Sequence, residues 1–346
     1  MFKQSIFAAL ILCLPAVVLT GCDKDEPAVV TPETPVTPDN PDDKGNPDKD
    51  GDENPGSSDN PGDKGEKKVV INTDGTTSDG SHFRRIDETT FMLNYVKYKI
   101  RDGHIEVIGY DSSEIELTLK GKVDLYSTIE IDNVSYNVRE IENMAFYECS
   151  SLKEINIPNS INVIGSRVFA GCKFLEKVNL PNSINIIYSE TFSRCSSLAH
   201  IDIPESVEEI GESAFSYCSS LTHIGIPESV EEIGASAFYK CSSLTHIDIP
   251  ESVEEIGESA FSYCSSLTHI DIPESVEEIG GYAFYGCSSL VHIDIPEGIK
   301  NIYFAAFANC ENLISISLPS TLEIFNYREN TNFFNNEYLY IRYIYI

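Results

Sequence analysis

From Val138 onward the apolar positions of the chain recur every 23 residues. A representative unit, Val207 to Ser229, reads V-E-E-I-G-E-S-A-F-S-Y-C-S-S-L-T-H-I-G-I-P-E-S. Eight units begin at Val138, Ile161, Ile184, Val207, Val230, Val253, Val276 and Ile299, and their cysteines fall at 149, 172, 195, 218, 241, 264, 287 and 310, always 23 apart. A strict period of this length means one supersecondary unit per repeat. Each unit is too small to bury its own apolar face and is stabilised by stacking on its neighbours.

Within a unit, Leu221, Ile224 and Ile226 have the L-x-x-I-x-I spacing of a short strand, in which alternate residues share a face, so Ile224 and Ile226 point inward. Pro227 has no N–H and ends the ladder. Val207, Ile210, Ala214 and Phe215 complete the inner surface. The expected fold is a leucine-rich-repeat solenoid, right-handed and mainly β, with one short parallel strand per coil and short helical turns between. At roughly 4.8 Å per coil, eight coils stack to about 40 Å.

Before the array, residues 69–137 alternate in the β manner. Tyr95–Ile100 and Ile105–Tyr110 flank a turn containing Asp102-Gly103, and Ile129–Ile131 and Val134–Val138 flank Asp132-Asn133. Both read as hairpins, and together as a cap region that covers the first coil. The repeats run over 138–321. Residues 322–346 read as a degenerate ninth unit or C-terminal cap, in which Leu339 and Ile341 keep the register of Ile316 and Leu318 and Arg342 replaces the proline.

The string I-x-x-x-A-F-x-x-C-x-x-L-x-x-I-x-I-P resembles the BspA-like class of bacterial leucine-rich repeats. The strings Y-x-I, I-E-V-x-G-Y and D-N-x-x-Y between Phe91 and Val138 resemble the segment that leads into the repeats of those proteins. The resemblance implies a secreted or surface-anchored protein, of a family several of whose members are thought to bind host matrix proteins or other cells, and it brings no catalytic residues.

The first 21 residues read as a signal peptide. Lys3 precedes the apolar run Ile6–Leu19, which is too short to span a bilayer comfortably. The run ends in Leu19-Thr20-Gly21-Cys22, which resembles the bacterial lipoprotein box and implies lipid attachment at Cys22. Asp23-Lys24-Asp25-Glu26 resembles the signal that sends Bacteroidota lipoproteins to the outer face of the outer membrane. Residues 22–68 then form an acidic, Pro/Gly-rich tether. Residues 23–68 hold eight Pro, five Gly and fourteen acidic residues but no aromatic, Leu or Ile, a composition that cannot offset chain entropy by burial. Asp48–Asp52 looks faintly like a calcium loop, but Glu53 stands where the turn glycine belongs.

The chain of 346 residues carries 55 acidic and 24 basic residues, a net charge of −31. That excludes nucleic-acid binding through a basic patch and leaves the lipid anchor as the means of membrane contact. Residues 207–298 alone carry 14 Glu and 3 Asp against Lys240.

The repeat cysteines occupy one equivalent position per coil. Neighbours would lie in register with parallel Cβ vectors, a poor fit to the disulfide dihedral, so they read as buried free thiols. A straight column gives no tetrahedral convergence for zinc, and no metal site or cofactor is expected. Flanking the inward isoleucines are His200, His223, His246, His269 and His292, with Asp202, Asp248, Asp271 and Asp294 beside them and Gly225 interrupting. Both columns face outward, either as a solvated polar surface, as a ligand-facing stripe, or as a metal-binding or pH-sensing one. No single base is distinguished, so a Ser/His/Asp catalytic reading fails. Near-identical coils offer a periodic surface, which suits an extended or multivalent ligand and not the asymmetric constellation that catalysis needs. The expected function is a non-catalytic surface-anchored adhesin-like module for a host matrix or cell-surface protein, another cell or an extended glycan. The alternative is a structural or antigenically variable coat without a specific ligand.

Overall fold

The computed structural model describes residues 66–111, 120–320 and 343–345. The signal peptide, Cys22 and the tether up to residue 65 lie outside the described residues.

The N-terminal part is a mixed sheet. Its strands are β1 (Lys68–Ile71), β2 (Phe83–Arg85), β3 (Thr90–Leu93), β4 (Val96–Arg101), β5 (His104–Tyr110), β7 (Thr128–Ile131) and β8 (Val134–Ile141), in the order β1-β7-β8-β5-β4-β3-β2. β4 and β5 form one antiparallel hairpin around Asp102-Gly103, and β7 and β8 form the other around Asp132-Asn133. Asp132 and Asn133 have φ values of 52° and 61°. These are the left-handed pair that a two-residue turn needs to match strand twist. β8 is the joint. Its first half pairs with β7, and its second half runs parallel to β5 and to β10 (Val163–Ile164), which belongs to the repeats.

From β8 onward each coil has three segments. The first is the V-E-E-I segment, which forms a regular parallel ladder: β12 (Ile186–Ile187), β13 (Glu209–Ile210), β14 (Glu232–Ile233), β15 (Glu255–Ile256), β16 (Glu278–Ile279) and β18 (Asn301–Ile302), all in register. The glycine that follows the ladder isoleucine in five of the eight coils sits close against the preceding coil, although Glu142, Tyr188 and Tyr303 take its place in the others. A Cβ on Gly257 would lie 2.8 Å from backbone atoms of residues 233–235 in the preceding coil.

The second segment is the A-F-x-x-C stretch. It is not helical, and among the described residues there is no helix. Its N–H groups alternate between two duties. Ser213, Phe215 and Tyr217 donate to the carbonyls of Ala235, Ala237 and Tyr239 in the next coil, while Ala214, Ser216 and Cys218 donate three residues back within their own coil. A helix would have spent every N–H internally; here half of them bind the neighbour. The geometry places Ser213 at φ 56° and Tyr217 at φ 62°, and the same two positions are left-handed in every coil.

The third segment is the L-x-x-I-x-I stretch, where the sequence predicts the only strand. At the two ends of the array it is one. β6 (Lys122–Asp124), β9 (Glu154–Asn156) and β11 (Lys177–Asn179) form one parallel sheet, and β17 (His292–Asp294), β19 (Ser315–Ser317) and β20 (Tyr343–Tyr345) form another. In the middle coils it is nearly extended chain, joined by isolated bridges at Gly225–Asp248 and Asp248–Asp271. The register at the C-terminal end also departs from expectation. Ile344, and not Leu339, pairs with Ile316. Leu339 and Ile341 are in one phase and Ile344 and Ile346 in the other, because Arg342 interrupts the alternation; the described pairing is that of the second phase, with Ile344 opposite Ile316.

Inside the array each column is continuous. Phe146, Phe169, Phe192, Phe215, Phe238, Phe261, Phe284 and Phe307 stack with centroids 5.4–5.7 Å apart, and Tyr110 of β5 extends the stack onto Phe146 at 5.8 Å. The eight cysteines are free and buried. From the second coil on, each Sγ donates to the carbonyl of the phenylalanine in the preceding coil, as Cys241 does to Phe215 at 3.1 Å. The serine after Pro-Glu does the same at the corner, Ser229 Oγ reaching the Val207 carbonyl at 2.6 Å. The thiol thus adds a second donor to a carbonyl that already accepts the cysteine N–H of its own coil, and the serine hydroxyl caps a carbonyl at the corner.

Candidate ligand-facing surface

The five histidines and four aspartates emerge from the third segment between buried isoleucines. Ile224, Ile247, Ile270 and Ile293 are at most 1% exposed, while the flanking His and Asp side chains reach solvent. Within three coils they pair: His200 Nε2 with Asp202 Oδ1 at 2.9 Å, and His246 with Asp248 and His269 with Asp271 at 2.7 Å each. These pairs are 43–94% exposed, so water screens them and they contribute little to stability.

Where Gly225 replaces the aspartate, His223 has no such partner and its ring stacks on His246 at 6.5 Å, nearly parallel. A Cβ at Gly225 would meet nothing within 4 Å, so the gap in the column is not sterically imposed. In the seventh unit the pairing passes to the eighth. His292 Nδ1 and Ser315 Oγ share a hydrogen bond at 2.5 Å, and the Ser317 hydroxyl donates to Asp294. The structure therefore gathers all nine residues into one surface column and couples six of them in three short His–Asp pairs.

On the ladder segment, Glu209, Glu232, Glu255 and Glu278 stand directly opposite one another in register. Like charges at strand spacing destabilise, so this column makes the array acidic at some cost.

A further surface was not anticipated. Tyr217, Tyr239, Tyr263 and Tyr285 contact one another edge to face at 5.2–5.9 Å. Lys240 lies over the rings of Tyr217, Tyr239 and Tyr263 at 5.0–5.4 Å, and the hydroxyls of Tyr239 and Tyr217 hold its ammonium above the usual lysine range. The tyrosines alternate between the first and second positions before the cysteine, so they form no column in the sequence.

The thiols are chemically quiet. Burial pushes Cys218, Cys264 and Cys310 up to about 12. Among the described residues the group able to hold a metal lies where the sheet meets the first coil: His104, Glu106 and Glu140.

Stacked short strands with a buried phenylalanine column and an outward polar column define a leucine-rich-repeat solenoid. The chain belongs to the BspA-type leucine-rich repeat family: residues 124–245 and 231–342 match the BspA type leucine rich repeat region, in six copies. Among solved structures it is similar to a leucine rich repeat protein of T. pallidum, at 32% identity and a TM-score of 0.50, over 57% of this chain and 88% of that one. It is also similar to a leucine-rich repeat protein of Bacteroides ovatus, at 27% identity and a TM-score of 0.53, over 66% of this chain and 71% of that one. No curated protein matches it. Proteins of this family are generally non-catalytic repeat scaffolds, typical of surface and adhesion-like proteins.

Proposed function

We propose that this protein is a lipid-anchored binding module of the outer membrane, facing the cell exterior, which engages an extended host protein, another cell's surface or a glycan through the His/Asp column. The observation that carries the reading is the column of exposed histidines at equivalent positions of five coils, paired with aspartate in three of them. The pairs add little to stability, and the column presents imidazoles at a regular step along the stack. Weak contacts at that spacing sum along an extended ligand. Catalysis is disfavoured because the three pairs are equivalent, where a reaction needs one asymmetric constellation. The anchor rests on the Leu19–Cys22 box and the exterior orientation on Asp23–Glu26. The alternative, a coat without a specific ligand, draws on the near identity of the units, which suits variation in copy number.

The test is a panel of matrix proteins and glycans screened against the intact array and against a variant with all five stripe histidines replaced by Ser. Binding to one member of the panel, weakened at least tenfold in the variant with an unchanged circular dichroism spectrum, is expected. Equal affinity removes the column as the site, and no binding by the intact array favours the coat.

A further inference from the structure

The cluster at the joint between the N-terminal sheet and the array has chemistry of its own. His104 and Glu106 are two residues apart on β5 and share a face. Glu140 lies on the adjacent strand β8, and the three donor atoms are all within 4.8 Å of one another. Three features mark this group.

The first is a bulge. β5 and β8 pair Ile105 with Val138 and then Glu106 with Glu140, so the ladder skips Arg139. Without the skip, Glu106 would stand opposite Arg139, an attractive pair. The strand instead spends a bulge, a device that re-aims side chains, to set two carboxylates side by side.

The second is the His104–Glu106 contact. Nε2 and Oε1 are 3.4 Å apart, too long for an N–H···O hydrogen bond. It is, however, the distance between two ligands of a tetrahedral ion with bonds of about 2.0–2.1 Å, whose edge is about 3.3–3.4 Å.

The third is charge. Glu106 is only 8% exposed. It lies beside the Glu140 carboxylate, with the three donor atoms of the cluster within 4.8 Å of one another. The Arg101 guanidinium is divided between Glu106 Oε2 at 2.5 Å and Glu142 at 2.7 Å. That leaves Glu106 Oε1 facing His104.

We propose that His104, Glu106 and Glu140 form a divalent transition-metal site, and that zinc is the metal this donor set fits. One imidazole and two carboxylates suit a borderline ion better than calcium or magnesium, which take oxygen ligands alone. Arg101 acts as the outer partner that orients the Glu106 carboxylate, and water completes the coordination. The ion ties β5 to β8 at the point where β8 begins to pair with the repeats.

The test uses the purified full chain, equilibrated with zinc and dialysed, with bound metal measured by mass spectrometry and Co²⁺ absorption as an independent probe. One equivalent of zinc per chain is expected. It should be kept when the five stripe histidines are replaced by Ser, and bound at least tenfold more weakly in His104→Gln. Zinc should raise the unfolding temperature of the unsubstituted chain and not of His104→Gln, and calcium or magnesium in excess should not displace it. If His104→Gln fails to fold, Glu140→Gln gives the same reading from the neighbouring strand. No stoichiometric zinc, affinity unchanged by either substitution, or zinc lost only when the stripe histidines are removed would overturn the site.

Discussion

The N-terminal sheet and the repeat array are built from strands of similar composition but solve opposite problems. In the sheet every element is different. β8 changes partners halfway along, a bulge skips Arg139, and the result is one place where His104, Glu106 and Glu140 meet. In the array one 23-residue coil recurs: the phenylalanines of its core each stack on their own copy in the next coil, and the cysteine thiols bond to the phenylalanine carbonyl of the preceding one. Asymmetry concentrates chemistry at a point; translation spreads a modest chemistry along a line. The joint between them is physically continuous, since Tyr110 of β5 heads the phenylalanine stack.

Three changes test how separate the two regions are. The largest effect belongs to Phe238→Ala. Removing a fully buried ring at mid-stack opens a cavity and should cost about 3–5 kcal/mol. Hydrogen exchange should show protection falling in the coils around residues 207–274 while the β4–β5 hairpin keeps its protection. Equal loss in the hairpin would mean that sheet and array open as one unit.

The cysteine column predicts an alkaline limit specific to the array. The folded thiols of Cys218, Cys264 and Cys310 are raised to about 12, above the unfolded value of roughly 8.5. Their stabilising effect is therefore complete below about pH 8.5 and is lost as pH climbs toward 12, by about 1.4 kcal/mol per pH unit for each thiol. Urea denaturation of the intact chain and of Cys218→Ala between pH 8 and 11 should show a shallower decline in the variant. Parallel curves would mean that the thiol is already solvated.

The smallest effect is Asn133→Gly in the β7–β8 turn. The φ of 61° there suits glycine without strain, so a gain of about 0.5 kcal/mol is expected, visible as a small rise in urea midpoint. A loss would show that the Asn side chain has a role in the turn that φ alone does not reveal.

What was legible in the sequence follows the same division. The period, the inward isoleucines, the phenylalanine column and the Asp-Gly and Asp-Asn turns all depend on local pattern, and the structure has them. The ladder along Glu209–Ile210 was not legible, because four stacked glutamates argue against a strand at that place; the buried valine and isoleucine on either side of them outweigh the repulsion. The A-F-x-x-C stretch has the spacing of a helical face, and nothing in it reveals that Ser213, Phe215 and Tyr217 donate to the next coil. Left-handed Ser and Tyr residues cannot be read as such when the same positions accept Gly only at 171 and 286. At the metal-type cluster, simple alternation predicts Glu106 opposite Arg139, and only the bulge moves Glu140 into place. The tyrosine ridge escaped because its members alternate between two positions before the cysteine.

The split duty of the backbone in each coil has an electrical consequence. Ser213, Phe215 and Tyr217 donate toward the C-terminal end of the stack, whereas Glu231, Gly234 and Thr245 donate toward the N-terminal end, to Glu208, Ile210 and Thr222. Peptide dipoles on one side of the solenoid oppose those on the others, so no macrodipole of the kind that accumulates along an α-helix grows with the number of coils. Lengthening the protein by a unit adds negative charge through its carboxylates but does not align further peptide dipoles into a growing end charge, so the electrostatic cost of an extra coil lies in its side chains and not in its backbone.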